Sequence, residues 1–451
     1  MNRAAPENVK NVVIRFAGDS GDGMQLLGGQ FTQSSALTGN DLVTLPDFPA
    51  EIRAPAGTRE GVSGFQIQIA GFDISTPGDE TDVLVAMNPA ALITNLQTLK
   101  RDGILVVNTD RFRKGDLAKA RLTSNPLEDG TIDGFRVVQA PISHLTKDAV
   151  APHGLNVAQS DRCKNFFALG IMYWLYNRSM EHTEAWVNSK FKSPYKEANI
   201  AAMQAGYDFA HNVEIFQTQY EVPAADFAPG KYRNIMGNTA LAVGLVAAAN
   251  KADTTLFYGS YPITPATDIL HALAPYKNYG VVTYQAEDEI AAVCAAIGAS
   301  WGGSIGVTGT SGPGLALKGE GLGLAIMVEL PLIVINVQRG GPSTGLPTKT
   351  EQSDLLQAYY GRNGESPCPI LAAKSPSDCF ATAIEAVQIA LTYMCPVIIL
   401  TDGYIANGAE PWALPDLSTL PNIKPTYHTE ADGFLPYNRN EETLARPWAI
   451  P

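Results

Sequence analysis

Short runs of β-branched and aromatic residues alternate along the chain with longer stretches rich in Ala, Leu and polar residues. Val12–Phe16, Val83–Met87, Ile104–Val107 and Phe135–Val138 read as strands, mostly apolar runs of the kind buried on both faces. Asn165–Tyr176 and Ala201–Phe209 read as helices, and this set fills a first domain, 1–213. The stretch Val222-Pro-Ala-Ala-Asp-Phe-Ala-Pro-Gly230 has Pro, Gly and no periodicity, so 214–231 reads as a linker. A second set follows over 232–410. Asn238–Asn250, Ile290–Ser300 and Pro376–Met394 suit helices; Thr255–Tyr258, Gly280–Thr283, Ile305–Thr308, Leu332–Val337 and Val397–Leu400 suit strands. The alternation predicts α/β domains with mostly parallel sheets. The helix Ile290–Ser300 is built of very small residues, so something should pack closely against it. After Gly403 the chain is Pro-rich and aperiodic, and 411–451 reads as an extension.

Composition narrows the function. The 451 residues carry a net charge of −13, which excludes a nucleic-acid binder relying on clustered Lys and Arg. The polar N-terminus carries no signal-peptide core, and the longest apolar stretch, near Ala240–Ala249, is about half a membrane span; the expected location is the cytoplasm. The five cysteines, Cys163, Cys294, Cys368, Cys379 and Cys395, include no Cys-x-x-Cys pair, and the six histidines form no metal-binding spacing. No metal or iron–sulfur site is expected in this chain.

Four segments carry candidate chemistry. Gly18-Asp-Ser-Gly-Asp-Gly23 follows the first strand. Such a turn exposes backbone amides to a phosphate, but the spacing is not that of a dinucleotide fingerprint, and Asp19 and Asp22 would repel an anion. A tight structural turn is the competing reading. Tyr261-Pro-Ile-Thr-Pro265 holds Thr264 rigidly at a strand's carboxyl end, where ligands of open α/β sheets sit, or is simply a stiff loop. In Gln285-Ala-Glu-Asp-Glu289, Asp288 and Glu289 suit a helix start, and Glu287 sits where a strand ends. Finally, Arg339-Gly-Gly-Pro-Ser-Thr-Gly-Leu-Pro-Thr348 places an arginine at a strand end, poised to fork onto a carboxylate or to form a surface ion pair. Thr310-Ser-Gly-Pro-Gly314 adds another Gly-rich strand-end turn. A purely structural domain needs no such concentration, so an enzyme site is the leading reading. A scaffold subunit and an NAD-linked dehydrogenase using Gly18–Gly23 are the alternatives.

At these residues the chain resembles the 2-oxoacid:ferredoxin oxidoreductase family. Residues 10–210, including Phe48-Pro-Ala-Glu-Ile-Arg-Ala-Pro-Ala56, resemble its gamma domain, and residues 232–410 its alpha, pyrimidine-binding, domain. The resemblance implies thiamine diphosphate chemistry with a beta subunit holding the diphosphate, Mg²⁺ and a [4Fe-4S] cluster. This chain lacks the Gly-Asp-Gly…Asn-Asn diphosphate pattern. It implies that Glu287 hydrogen-bonds the aminopyrimidine and favours its imino tautomer, with Tyr261, Pro262, Ile263 and Gly312 also near the cofactor. It implies that Thr264 and Arg339 meet the 2-oxoacid, with Thr344 and Thr348 shaping the pocket. Coenzyme A as acyl acceptor, with Gly18, Ser20, Gly21 and Gly23 as its contacts, ferredoxin as electron partner, and an (alpha-beta)₂ heterotetramer complete the expectation. The preferred substrate is 2-oxoglutarate, with pyruvate and other 2-oxoacids as alternatives. The family also leads one to expect a further α/β domain beyond Ala445–Pro451.

Overall fold

The computed structural model describes residues 5–50, 54–212, 218–444 and 446–450. Glu51–Arg53 of the Phe48–Ala56 motif, the expected boundary near residue 213, and Ala445 and Pro451 lie outside the described residues. The chain divides into two compact units, Met1–Pro229 and Gly230–Pro451.

The first unit is built on a six-stranded sheet. Its strands are β1 (Asn11–Asp19), β2 (Asp41–Asp47), β3 (Val62–Ala70), β4 (Thr81–Ala86), β5 (Leu99–Asn108) and β6 (Arg136–Ala140), in the order β2-β3-β1-β4-β5-β6. The four apolar runs of the sequence fall in β1, β4, β5 and β6, which pair in parallel. β2 and β3 add an antiparallel edge. Their pattern is masked because β3 buries Gln66 and Gln68, and Gln66 Nε2 donates to the carbonyls of Pro77 and Gly78. Buried side-chain amides need such partners, and a polarity pattern cannot supply them. Helices α1 (Met24–Leu37), α2 (Lys164–Leu175) and α3 (Tyr195–Asn212) supply much of the core beside the sheet. α2 is buried along its whole length.

The segment read as a free linker is instead strapped to this unit. Asn40 Nδ2 donates to the carbonyls of Val222 and Pro223, the Ala225 amide donates to Gly39 O, and Val222 is 2% exposed. Its lack of periodicity reflects an extended, individually hydrogen-bonded strap.

The second unit holds a parallel six-stranded sheet. Its strands are β8 (Leu256–Ser260), β9 (Val281–Gln285), β10 (Ile305–Thr310), β11 (Leu332–Gln338), β12 (Ile370–Ala372) and β13 (Pro396–Asp402), and the order is β9-β8-β10-β11-β13-β12. A short strand β7 (Tyr232–Met236) leads into helix α4 (Gly237–Ala252). Helices α5 (Glu289–Trp301), α6 (Gly312–Leu317), α7 (Gly319–Met327) and α8 (Asp378–Tyr393) complete the layers. The small residues of α5 have a clear reason. A Cβ at Gly306 of β10 would lie 2.2 Å from the Ala296 carbonyl oxygen, so helix backbone and strand backbone nearly touch. G306A must push them apart and is expected to cost about 1–3 kcal/mol, as overpacking does. Thermal unfolding would show it as a lowered Tm, and a parental Tm would contradict the packing.

The Pro-rich, aperiodic stretch after Gly403 carries short elements. β14 (Ala409–Ala413) pairs antiparallel with β7, and Pro411 is accommodated in this two-stranded ribbon. Further on, Trp448 is fully buried in the core, and Arg446 Nε lies 2.8 Å from the Glu329 carboxylate. Prolines hide this pattern because, β14 apart, the tail is held by a two-residue pairing and single anchors rather than periodic elements. Among the described residues no helix is long and apolar enough to cross a membrane.

Candidate active site

The strand order of the second unit fixes where a ligand would sit. From β8 the chain steps to β9 on one side, then crosses to β10 on the other and continues through β11. In open α/β sheets, ligands bind beyond the carboxyl ends of the strands at such a reversal. The segments singled out in this unit emerge there. Tyr261–Pro265 follows β8, Gln285–Glu289 follows β9, Thr310–Gly314 follows β10, and Arg339–Thr348 follows β11.

Arg339 is the centre of the arrangement. It is 7% exposed, its Nη1 donates to Thr264 O at 2.7 Å, and its Nη2 donates to Thr344 O at 3.0 Å. The guanidinium therefore clasps the β8 and β11 loops through carbonyl groups, and its Nε has no protein partner. Burial pulls its pKa down, opposed by the charge of Glu289. A cationic fork held only by neutral carbonyls keeps its charge available for a bound anion. It opens on a cavity of about 670 Å³ that Gly312, Pro313, Glu351 and Asp354 also line.

The wall of that cavity is stitched to the sheet. Gln338, the last residue of β11, accepts the Asp354 amide on Oε1 and donates from Nε2 to Thr401 O. Glu351 accepts the Gly341 amide, Asp354 accepts from Asn336 Nδ2, and buried Asp402 accepts from Gln352 Nε2. The sequence reading missed Gln338, Glu351, Asp354 and Asp402. Only the position of Gln338 at a strand end offered a signal.

The expected site residues distribute unequally. Thr264 and Thr344 meet Arg339 through their carbonyls, and both residues are exposed. Thr348 is half-buried further along the same loop. Tyr261 and Pro262 are exposed, whereas Ile263 is half-buried, packs against the hydrophobic core and anchors its segment. Gly312 shares the cavity with Arg339.

Glu287 is exposed and lies between two fixed points. The Ala286 amide donates to Ser260 O, and the Asp288 side chain caps α5 by accepting the Ala291 amide. Around it the edge strand and the helix start leave large apolar side chains uncovered: Val282 is 52% exposed, Tyr284 46% and Ile290 52%. An exposed apolar patch on an unpaired sheet edge is the mark of a surface that another chain covers.

The Gly18–Gly23 turn belongs to the first unit and is closed by its own side chains. Asp22 accepts the Asp19 amide and pairs with buried Lys164 at 2.8 Å, and Lys164 also pairs with Asp161. Burial, and then the charge of Asp22, pushes the Asp19 pKa up, against the bond from the Gly57 amide. Gly23 adopts φ +76°, and a Cβ there would meet Asn165 Nδ2 at 2.5 Å. The geometry favours the tight structural turn, with Ser20 and Gly21 as its exposed tip. Among the described residues no His, Cys, Asp and Glu cluster is arranged to hold a metal ion.

A parallel sheet with these loops at its reversal point defines an α/β cofactor-binding domain, and comparison with known proteins specifies it. Residues 248–449 match the family described as "Pyruvate flavodoxin/ferredoxin oxidoreductase, thiamine diP-bdg", and residues 13–209 match "Pyruvate ferredoxin/flavodoxin oxidoreductase". The 2-oxoglutarate oxidoreductase subunit KorA of Mycobacterium tuberculosis is 57% identical over 452 residues, 99% of this chain and 69% of that protein. The 2-oxoacid:ferredoxin oxidoreductase 1 subunit alpha of Sulfurisphaera tokodaii is 32% identical over 62% of this chain and 45% of its own length. Among solved structures, the 2-oxoglutarate:ferredoxin oxidoreductase of Magnetococcus marinus, with 2-oxoglutarate, coenzyme A and succinyl-CoA bound, matches with a TM-score of 0.83 and 30% identity. That match covers 98% of this chain and 72% of that one. The chain belongs to the 2-oxoacid:ferredoxin oxidoreductase family, as an alpha-type subunit.

Proposed function

We propose that this chain supplies the pyrimidine-side half of the active site of a 2-oxoglutarate:ferredoxin oxidoreductase. The reaction is the oxidative decarboxylation of 2-oxoglutarate with coenzyme A to succinyl-CoA and carbon dioxide, and the two electrons released pass singly to ferredoxin. The observation that carries the reading is Arg339: a buried guanidinium held by the Thr264 and Thr344 carbonyls at the sheet's reversal point, with unspent hydrogen-bonding capacity at Nε.

The residues present fit thiamine diphosphate. Ser311 Oγ and Asn336 Oδ1 are buried at the same end of the sheet without protein partners, and Gly312 lines the cavity beside them. When bound, the cofactor supplies the nucleophilic carbon and the electron sink that decarboxylation requires. Glu287 would hydrogen-bond the ring nitrogen and hold a proton there, keeping the aminopyrimidine in its basic form. Arg339 would hold the substrate's 1-carboxylate, and the exposed Thr264 hydroxyl would meet its 2-oxo group. Tyr261 and Pro262 would shield the ring from water, while Ile263 anchors them on the core.

In this reading, Mg²⁺, the diphosphate contacts and a [4Fe-4S] cluster belong to a beta subunit seated on the apolar surface around Glu287, in an (alpha-beta)₂ heterotetramer. The cavity's described lining offers Arg339 as its one cation beside the carboxylates Glu351 and Asp354. The distal carboxylate of 2-oxoglutarate must then be met from across the subunit boundary.

The test is co-purification with the partner subunit, followed by reduction of a low-potential one-electron dye with a panel of 2-oxoacids. Reduction that requires both 2-oxoglutarate and coenzyme A is expected. A preference for pyruvate would reassign the substrate, and no 2-oxoacid-dependent reduction would remove the reading.

A further inference from the structure

Lys318 joins α6 to α7 and is fully buried, and its Nζ donates to the main-chain oxygen of Glu289 at 2.7 Å. Among the described residues no carboxylate lies within ion-pair distance of it. Glu289 and the α5 cap Asp288, with Cys294 in the second turn, supply the surrounding charge and polarity. An ammonium buried against a single carbonyl is costly compared with the apolar side chains that would fill the same space. Its neighbours in sequence, Leu315, Ala316 and Leu317, are of that apolar kind. What the ammonium does instead is mechanical. The Glu289 carbonyl lies in the first turn of α5, two residues beyond Glu287. The backbone ahead of Glu287 is fixed by the Ala286 amide on Ser260 O, and the backbone behind it by the Asp288 cap. Lys318 adds a third tie and draws it from the segment that carries Gly312 and Pro313, which line the cavity.

We infer that Lys318 is a positioning residue for Glu287, clamping the first turn of α5 to the Thr310–Gly314 wall. The inference rests on the reading that Glu287 faces the cofactor's pyrimidine. Lys318 touches neither substrate nor cofactor, and it acts by holding the strand-to-helix step at one angle.

The test uses the full complex with its partner subunit, comparing the parent with K318M and K318Q. Met fills the volume without a donor, and Gln keeps a neutral donor. Three readouts are taken: amide hydrogen exchange over residues 287–292, the near-ultraviolet circular dichroism of added thiamine diphosphate, and kcat against KM for 2-oxoglutarate. K318M is expected to assemble, to exchange faster in the first turn of α5 only, to weaken the cofactor signal, and to lose about tenfold in kcat at unchanged KM, since a small misplacement is felt in the chemical step. K318Q is expected to recover part of each loss. Parental exchange and a kcat within about twofold of the parent in K318M would overturn the inference, because a change of that size is too small for a lost positioning contact. Failure of both variants to assemble would assign Lys318 to the scaffold and overturn it equally. E287A separates the two levels. If E287A leaves the cofactor signal intact, the thiamine reading itself fails. If E287A abolishes the signal and K318M does not change it, only the role of Lys318 fails.

Discussion

E287A, assembled with its partner subunit, is expected to lose about 10²- to 10⁴-fold in turnover, the range that a positioned acid–base group contributes. The fold should not notice. Glu287 is exposed, its backbone is held by the Ala286 amide and the Asp288 cap, and no described residue bonds its side chain. Surface substitutions of this kind change stability by roughly 0.5 kcal/mol or less. Turnover and thermal unfolding measured on one preparation decide the point. A large loss of rate at a parental Tm is expected, and a parental rate would favour a scaffold role for the chain. E287Q should recover little, since it keeps the shape but cannot hold or release a proton.

R339A should act on substrate rather than cofactor. The guanidinium is the cavity's one described cation, and removing a buried, hydrogen-bonded charge partner costs about 2–5 kcal/mol, or roughly 30- to several-thousandfold in kcat/KM. Part of that loss comes from the Thr264 and Thr344 carbonyls, which would be left without their clasp. R339K should fall close to R339A, because a point charge cannot bridge two carbonyls and a carboxylate with fork geometry. Steady-state kinetics with 2-oxoglutarate, beside a cofactor titration, separate the effects. KM should rise steeply while cofactor binding holds; a loss of cofactor binding with KM intact would place Arg339 on the wrong ligand.

Much of this was legible in the chain itself, and the reasons differ by element. The strands of the second sheet are short apolar runs ending in Gly, Pro and polar residues, so both the runs and their carboxyl-end loops could be read. What no local pattern could show is their order in space, and that order gathers four loops around one reversal. Strand β3 escaped because buried Gln66 and Gln68 break its apolar pattern. The tail after Gly403 escaped because single anchors such as Trp448 have no period. The Gly18–Gly23 turn invited a phosphate reading, whereas Lys164, distant in sequence, closes it through Asp22. Lys318 was invisible, and Gln338 was signalled only by its place at a strand end, for the same reason: their partners are set by the packing of separate elements. Glu287 is exposed in the lone chain, and in the proposed function a second chain covers Tyr284 and Ile290 beside it and completes the site.

The most direct test of that completion is a structure of the assembled complex with thiamine diphosphate added. The expected result is the Glu287 carboxyl within hydrogen-bonding distance, about 3 Å, of a pyrimidine ring nitrogen, with Tyr284 and Ile290 buried under the partner subunit. A Glu287 carboxylate still facing solvent, or a cofactor ring lodged elsewhere, would contradict the account.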